Sequence, residues 1–445
     1  MKPFWLGHAT HPDWRMALAL AAAQIEAQRA AEAAHLPAEP VREPTLGWLY
    51  ITDAYATEAD ALLTDARQRW PGVAWVGASG VGVAATGVEY FDEPGLALML
   101  GDLPREQFRV FSGAQPLGDF VAHTAQVHAD PMTTDLPELI ADMSHRTETG
   151  YLFGGLASVR HRTVHIADGV LQGGLSGVAF GADVTMVSRT TQGCQPIGPT
   201  RTITASERNV VTTLDDEPAL DALLHDLGLD GTPPREAVTQ LRQTLIGLSD
   251  APDDADDALR IGAFSSPARR GAFGTDTRVR HLIGIDPARR GLAIGDMAEI
   301  GMRLSFCTRN MEAARRDLMR ICAEIREELE PDTLPIEAAL NGPAELPTEF
   351  DDIDALGDLR LDPVGEHRAH HRSHAVEVLG AIYVSCAGRG GPHFGAPSAE
   401  LALIRHALGD VPLVGFFAAG EIARQHLYGY TGVLTVFTNP GLATP

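Results

Sequence analysis

The chain has 445 residues, 44% of them apolar and only 6% aromatic, enough to bury cores in two or three domains. Lys and Arg number 35 against 59 acidic residues, a formal charge of −24, and a field of that sign argues against broad binding to nucleic-acid backbones or anionic lipid. Cys194, Cys307, Cys322 and Cys386 form no CxxC pair, which fits a reduced, cytoplasmic compartment better than a disulfide framework.

From the N-terminus, "MALALAAA" (16–23) resembles a signal core, but Asp13 and Arg15 precede it and "QIEAQRAAEAA" continues it as an amphipathic helix. No apolar run reaches the ~20 residues of a membrane helix. "LGWLYITDA" (46–54) then predicts a strand, "TEADALLTDARQRW" a helix, "VAWVGASGVGV" a strand ending in glycines, and "GLALML" another strand. "LSGVAF" and "HLIGID" read as further strands, and "LDGTPPRE" (229–236) as a boundary between halves. Met311, Ala314, Leu318, Ile321, Cys322, Ile325 and Leu329 share one face of a predicted helix, which assigns Cys322 to a core. The runs "DAPDDADD" (250–257) and "EFDDIDALGD" (349–358) read as solvated loops, the second within an acid- and proline-rich insertion over about 330–375.

The first series recurs near the C-terminus. "LGAIYVSCA" (379–387) matches "LGWLYITDA", "SAELALIRHAL" supplies the helix, "VPLVGFFAAGEI" the glycine-ended strand, and "GVLTVF" the last strand. The fold expected is therefore α/β, of mixed α+β character with mixed sheets: two lobes built from duplicated strand–helix–strand–strand units. The copies differ where chemistry can sit. Asp53 in the first corresponds to Cys386 in the second, Val83 to Glu421, and only the second carries the inserted "GRGGPHFG".

That insertion lies past a strand's carboxyl end, where open α/β sheets place ligands. "GRGG" lacks the lysine and hydroxyl of a P-loop, and "GASGVG" is neither GxGxxG nor GxSxG. Cys386 with His393 as base gives a candidate nucleophile, against the alternative of a small buried thiol. Arg389, between glycines, has room to fork two donors onto a carboxylate; Glu421 is either its structural partner or the acceptor for a ligand amine. His367, His370, His371 and His374 in "EHRAHHRSH" stand at spacings that can line up imidazoles for haem or a metal on a helix, against the reading of a solvated basic segment.

"CAGRG", "LVGFFAAGEIA" and "YTGVLTVF" resemble the C-terminal half of the FIST family, and "WVGASGVGV", "FGGLAS", "DGVLQGGLSGVAFG" and "GCQPIGPTRTITAS" resemble its N-terminal half. The resemblance implies a FIST N-like domain over 15–232 and a FIST C-like domain over 236–438. It implies a sensory protein that binds a small molecule such as an amino acid and signals to a separate partner, with some relatives acting as haem-binding nitric oxide sensors. Carried over by motif, the ligand-binding positions are Cys386, Gly388, Arg389 and Gly390, then Gly420 and Glu421, with His393 on the same lip. The insertion and its histidines depart from the family pattern.

Overall fold

The computed structural model describes residues 3–35, 42–158, 160, 162–229, 234–250, 277–329 and 376–439. The acidic insertion, the four clustered histidines, most of "DAPDDADD" and the centre of "LDGTPPRE" lie outside the described residues.

The chain opens with β1 (Trp5–Thr10), α1 (Trp14–His35), β2 (Leu46–Thr52), α2 (Ala59–Arg69), β3 (Ala74–Gly80), a hairpin of β4 (Gly82–Ala85) and β5 (Val88–Phe91), and β6 (Gly95–Gly101). A second series follows: β7 (Phe108–Phe111), β8 (Thr124–Ala129), α3 (Leu136–His145), β9 (Leu152–Leu156), a hairpin of β10 (His165–Ala167) and β11 (Val170–Leu171), and β12 (Leu175–Phe180). After β13 (Met186–Gln192) come β14 (Cys194–Pro196), β15 (Arg201–Glu207), β16 (Val210–Leu214), β17 (Glu217–Pro218), α4 (Ala219–Asp226), α5 (Pro234–Gln243), β18 (Leu245–Ser249), β19 (Arg278–Asp286), β20 (Gly291–Ile294) and β21 (Arg303–Arg309). The third series is α6 (Met311–Leu329), β22 (Val378–Cys386), α7 (Ala399–Leu408), β23 (Leu413–Ala418), a hairpin of β24 (Glu421–Ala423) and β25 (His426–Tyr428), and β26 (Thr431–Thr438).

The duplication expected from sequence is thus the visible part of a triplication. Three six-stranded sheets share one strand order: β1-β6-β2-β3-β10-β11, β7-β12-β8-β9-β24-β25 and β13-β26-β22-β23-β4-β5. In each, a helix joins two parallel strands and the returning strand is antiparallel. The hairpins are exchanged in a cycle. The first unit's hairpin pairs with β23, the second's with β3 and the third's with β9.

The mixed α/β class is as expected, but the two lobes divide differently. One is the three-sheet body, to which both halves of the sequence contribute strands. The other is an inserted barrel, in which β15, β16, β20, β19, β18 and β21 pair in turn until β21 closes on β15.

The inner faces of the three sheets meet in one core containing Trp48, Tyr50, Phe153, Phe180, Phe416 and Phe437. The helices cover the outer faces: α1 and α2 on the first sheet, α3 on the second, α6 and α7 on the third. With both faces buried, these strands read as nearly continuous apolar runs. The middle unit breaks that pattern. Its Gln126 and His128 point into the core, where Trp48 Nε1 donates to Gln126 Oε1 at 2.8 Å, Gln126 Nε2 donates to Tyr50 Oη at 2.6 Å, and His128 Nε2 meets Tyr50 Oη at 3.1 Å. Between β7 and β8, where the other units bring α1 and α6, residues 112–123 form a loop.

Candidate functional site

Cys386 ends β22 at the carboxyl edge of the third sheet, and the chain leaves it through two short turns, Ala387–Arg389 and Gly391–Phe394. Close approach fixes Gly390, since a Cβ there would stand 2.2 Å from the Phe91 ring, and Gly391 adopts φ +67°. Both Phe91 and the loop's anchor come from the exchanged first hairpin. Glu89 on β5 accepts the N–H groups of Gly391 and Ser398 through Oε1, at 3.0 and 2.9 Å.

Arg389 is directed inward, not onto the open surface. It is 1% exposed, and its Nε and Nη2 both donate to Glu400 Oε1 on α7, at 2.8 and 2.6 Å. Tyr383 Oη donates to the same oxygen and Ser385 Oγ to its twin, while the guanidinium lies 5.0 Å from the Phe394 ring centroid. Burial disfavours its charge, but the Glu400 carboxylate more than offsets this and raises its pKa. The partner anticipated for Arg389 was Glu421; the partner found is Glu400, an acid that the sequence showed only as part of an amphipathic helix.

Glu421, at the start of β24, is fully buried. Its Oε2 accepts from Thr431 Oγ1 at 2.6 Å and Thr431 N at 3.1 Å, and its Oε1 has no nitrogen or oxygen donor among the described residues. Burial pushes this carboxyl up to about 7, against the opposing pull of Thr431, Arg389 and the nearby Cys386 thiol. The same burial, with the charge of Glu421, pushes Cys386 up to about 12, so it stands as a neutral thiol at physiological pH. His393 is pushed down to about 4 by burial and by Arg309 and Arg389, and its Nδ1 lies 3.3 Å from Arg309 Nη2. The imidazole of His393 is thus turned toward the Arg309 guanidinium. Gly420 forms the turn before Glu421, and its carbonyl accepts Leu156 N at 2.8 Å.

The barrel supplies the outer wall. Arg309, exposed at the end of β21, donates to the carbonyl of Gly388, lies 5.4 Å from the Tyr430 ring centroid, and has no carboxylate partner among the described residues. Tyr430 has φ +63°, a left-handed conformation unusual for an aromatic residue and of a kind that clusters at functional sites. Its carbonyl accepts Gly193 N at 2.9 Å, and its hydroxyl meets His281 Nε2 at 2.8 Å. The structure therefore brings together Cys386, Gly388, Arg389, Gly390, His393 and Glu421, and adds Glu89, Arg309, Glu400 and Tyr430, which sequence reasoning missed. No local pattern marks Arg309 or Glu89, because each reaches the loop from a distant element.

Among the described residues, no helix is long and apolar enough to cross a membrane. A family model for the FIST N domain matches residues 45–217, and one for the FIST C domain matches residues 219–424. An uncharacterized protein of Mycobacterium tuberculosis is 27% identical over 456 aligned residues, spanning 98% of this chain and 99% of its own length. An uncharacterized protein of Mycobacterium bovis is 27% identical over 455 residues, spanning 98% of each.

Proposed function

The chain belongs to the FIST family, whose domains are associated with small-ligand sensing in signal transduction, and from that premise we propose that it binds a small polar metabolite, such as an amino acid, at the mouth between the Cys386–His393 loop and the barrel. The observation that carries this reading is Glu421 Oε1, a buried acceptor with no nitrogen or oxygen donor, beneath a loop whose outer side meets Arg309, an exposed guanidinium with no carboxylate partner among the described residues. A ligand amine satisfies the first and a ligand carboxylate the second. Arg309 takes over the grip once considered for Arg389, which instead fixes the loop from beneath. Gly388 and Gly390 let the loop pass close to Arg309 and Phe91, Gly420 sets Glu421, and Cys386 and His393 line the entrance as neutral groups. In this reading the protein works in a reducing cytoplasm and passes its signal to a separate protein partner.

The test is a thermal-shift screen with amino acids and related carboxylates, repeated on Arg309→Gln and Glu421→Gln. Losing a charge-assisted bond of about 2 kcal/mol weakens binding roughly 30-fold. Carboxylate ligands lose their shift in Arg309→Gln, and amine-bearing ligands lose theirs selectively in Glu421→Gln. A ligand response that survives both substitutions would overturn the site.

A further inference from the structure

Behind Tyr430, two cysteines that stand 113 positions apart in sequence are brought together. In the β14–β21 pairing, Cys194 faces Arg309 and Pro196 faces Cys307, so the two cysteines are diagonal neighbours on the same side of the ladder. They share a small apolar cluster with Leu245 and Val279, against which Tyr430 packs. Cys307 is fully buried, and Cys194 keeps 4% of its surface. The pair sits at a joint: β14 is the first strand after β13 leaves the three-sheet body, and Gly193 between them donates to the Tyr430 carbonyl and accepts from Asn310 N at 3.2 Å.

We propose that Cys194 and Cys307 are a modification site, closing to a reversible intramolecular disulfide when the protein meets a peroxide, and that the bond latches β14 to β21 behind Tyr430. Cys194, the more exposed, attacks one oxygen of hydrogen peroxide as its thiolate; the O–O bond breaks, hydroxide leaves, and a sulfenic acid remains. The Cys307 sulfur then attacks the Cys194 sulfur. The S–S bond forms, the S–O bond breaks, and the departing oxygen leaves as water with the Cys307 proton. Two thiols and one peroxide thus yield one disulfide and two waters, and a dithiol reductant reverses the change. The neighbouring Cys194 thiol, and then burial, raise the pKa of Cys307. Cys307, the more deeply buried of the two, is therefore the resolving thiol. Cys386 and Cys322 have no such neighbour among the described residues, and burial holds each of them as a thiol up to about 12.

The experiment exposes the folded full-length chain to hydrogen peroxide, blocks the remaining thiols with N-ethylmaleimide, and maps the digest by mass spectrometry. The expected product is a peptide linked through Cys194 and Cys307, two hydrogens lighter than its reduced parts, with two of the four thiols lost and both restored by dithiothreitol. Cys194→Ser and Cys307→Ser each abolish it, whereas Cys386→Ser leaves it. The melting midpoint rises on oxidation and falls back on reduction. Four thiols that remain free after prolonged exposure, or oxidation confined to Cys386 or to a bond between two chains, would overturn the proposal. Should a serine variant fail to fold, the wild-type peptide map decides alone. The readout is covalent and independent of any ligand, so failure of the ligand site leaves this result unaffected.

Discussion

Ionising a carboxyl that no water reaches is costly, and Thr431, with the charge of Arg389 and the Cys386 thiol, offsets only part of that cost at Glu421. Its folded pKa, about 7, exceeds the ordinary 4.5, so the sign follows directly. Below pH 4.5 both folded and unfolded chains hold the proton and nothing is lost. Between 4.5 and 7 the unfolded chain releases the proton while the folded one keeps it, and stability falls as pH rises; above 7 the full cost is present. Glu421→Gln removes this dependence and keeps an acceptor for Thr431. It should exceed the wild type in urea at pH 8 by on the order of 2–3 kcal/mol, with the gap closing toward pH 4.5. An equal difference at both pH values would mean that Glu421 titrates normally. Arg389 gives the opposite case. Arg389→Met strands the buried Glu400 carboxylate and should cost about 3–5 kcal/mol without any ligand present. The double variant Arg389→Met/Glu400→Leu should lose less than either single change, and strict additivity in denaturation would show that the pair is not coupled. Arg389→Lys should also destabilise the ligand-free protein, because an ammonium cannot place two donors as the guanidinium does.

At the level of elements, the three units repeat at positions where substitution has the same consequence. Gly77, Gly154 and Gly415 each stand on the second parallel strand, opposite Leu49, Val127 and Tyr383, and a Cβ at each would lie 1.8, 1.9 and 1.7 Å from the facing carbonyl oxygen. Alanine at any of the three forces the parallel pair apart, so all three substitutions should lower the melting midpoint steeply and alike. A tolerated Gly154→Ala would break the equivalence of the middle unit. That unit was the illegible one. The outer units announce themselves by the shared Leu-Gly-Tyr-Ala pattern and by helices of clear 3.6-residue period. In the middle unit β8 carries Gln126 and His128 inward, and their polarity hides a strand that is nevertheless fully buried. The site divides in the same way. Glycine punctuation exposed the Cys386–Phe394 loop, and a mismatch between repeats exposed Glu421. The register position of Glu421 is held by His165 in the middle unit and Val83 in the first, each one residue before the residue that faces the close-packed glycine. Glu400, Arg309, Cys194 and Cys307 gave no local signal, because what makes them matter is a neighbour brought from another element.

For the whole molecule, the cyclic exchange of hairpins joins the two matched domains into one folding unit. Cutting between residues 217 and 219 separates β4 and β5 from β23, and β24 and β25 from β9. Fragments 1–217 and 219–445 expressed separately should lack dispersed amide spectra, and expressed together they should assemble into a soluble pair. Independent folding of either fragment would show that the exchanged hairpins contribute little. The same exchange also orders events during synthesis. The first sheet draws only on residues up to Leu171, so it can close while most of the chain is still unmade. The second has β7, β12, β8 and β9 early but waits for β24 and β25, encoded only after the barrel and β23. A nascent chain that stalls before Glu421 therefore carries an open β9 edge, a template for wrong pairing, until β24 and β25 emerge. The interval between synthesis of β9 and of β24 then sets how long that edge stays exposed.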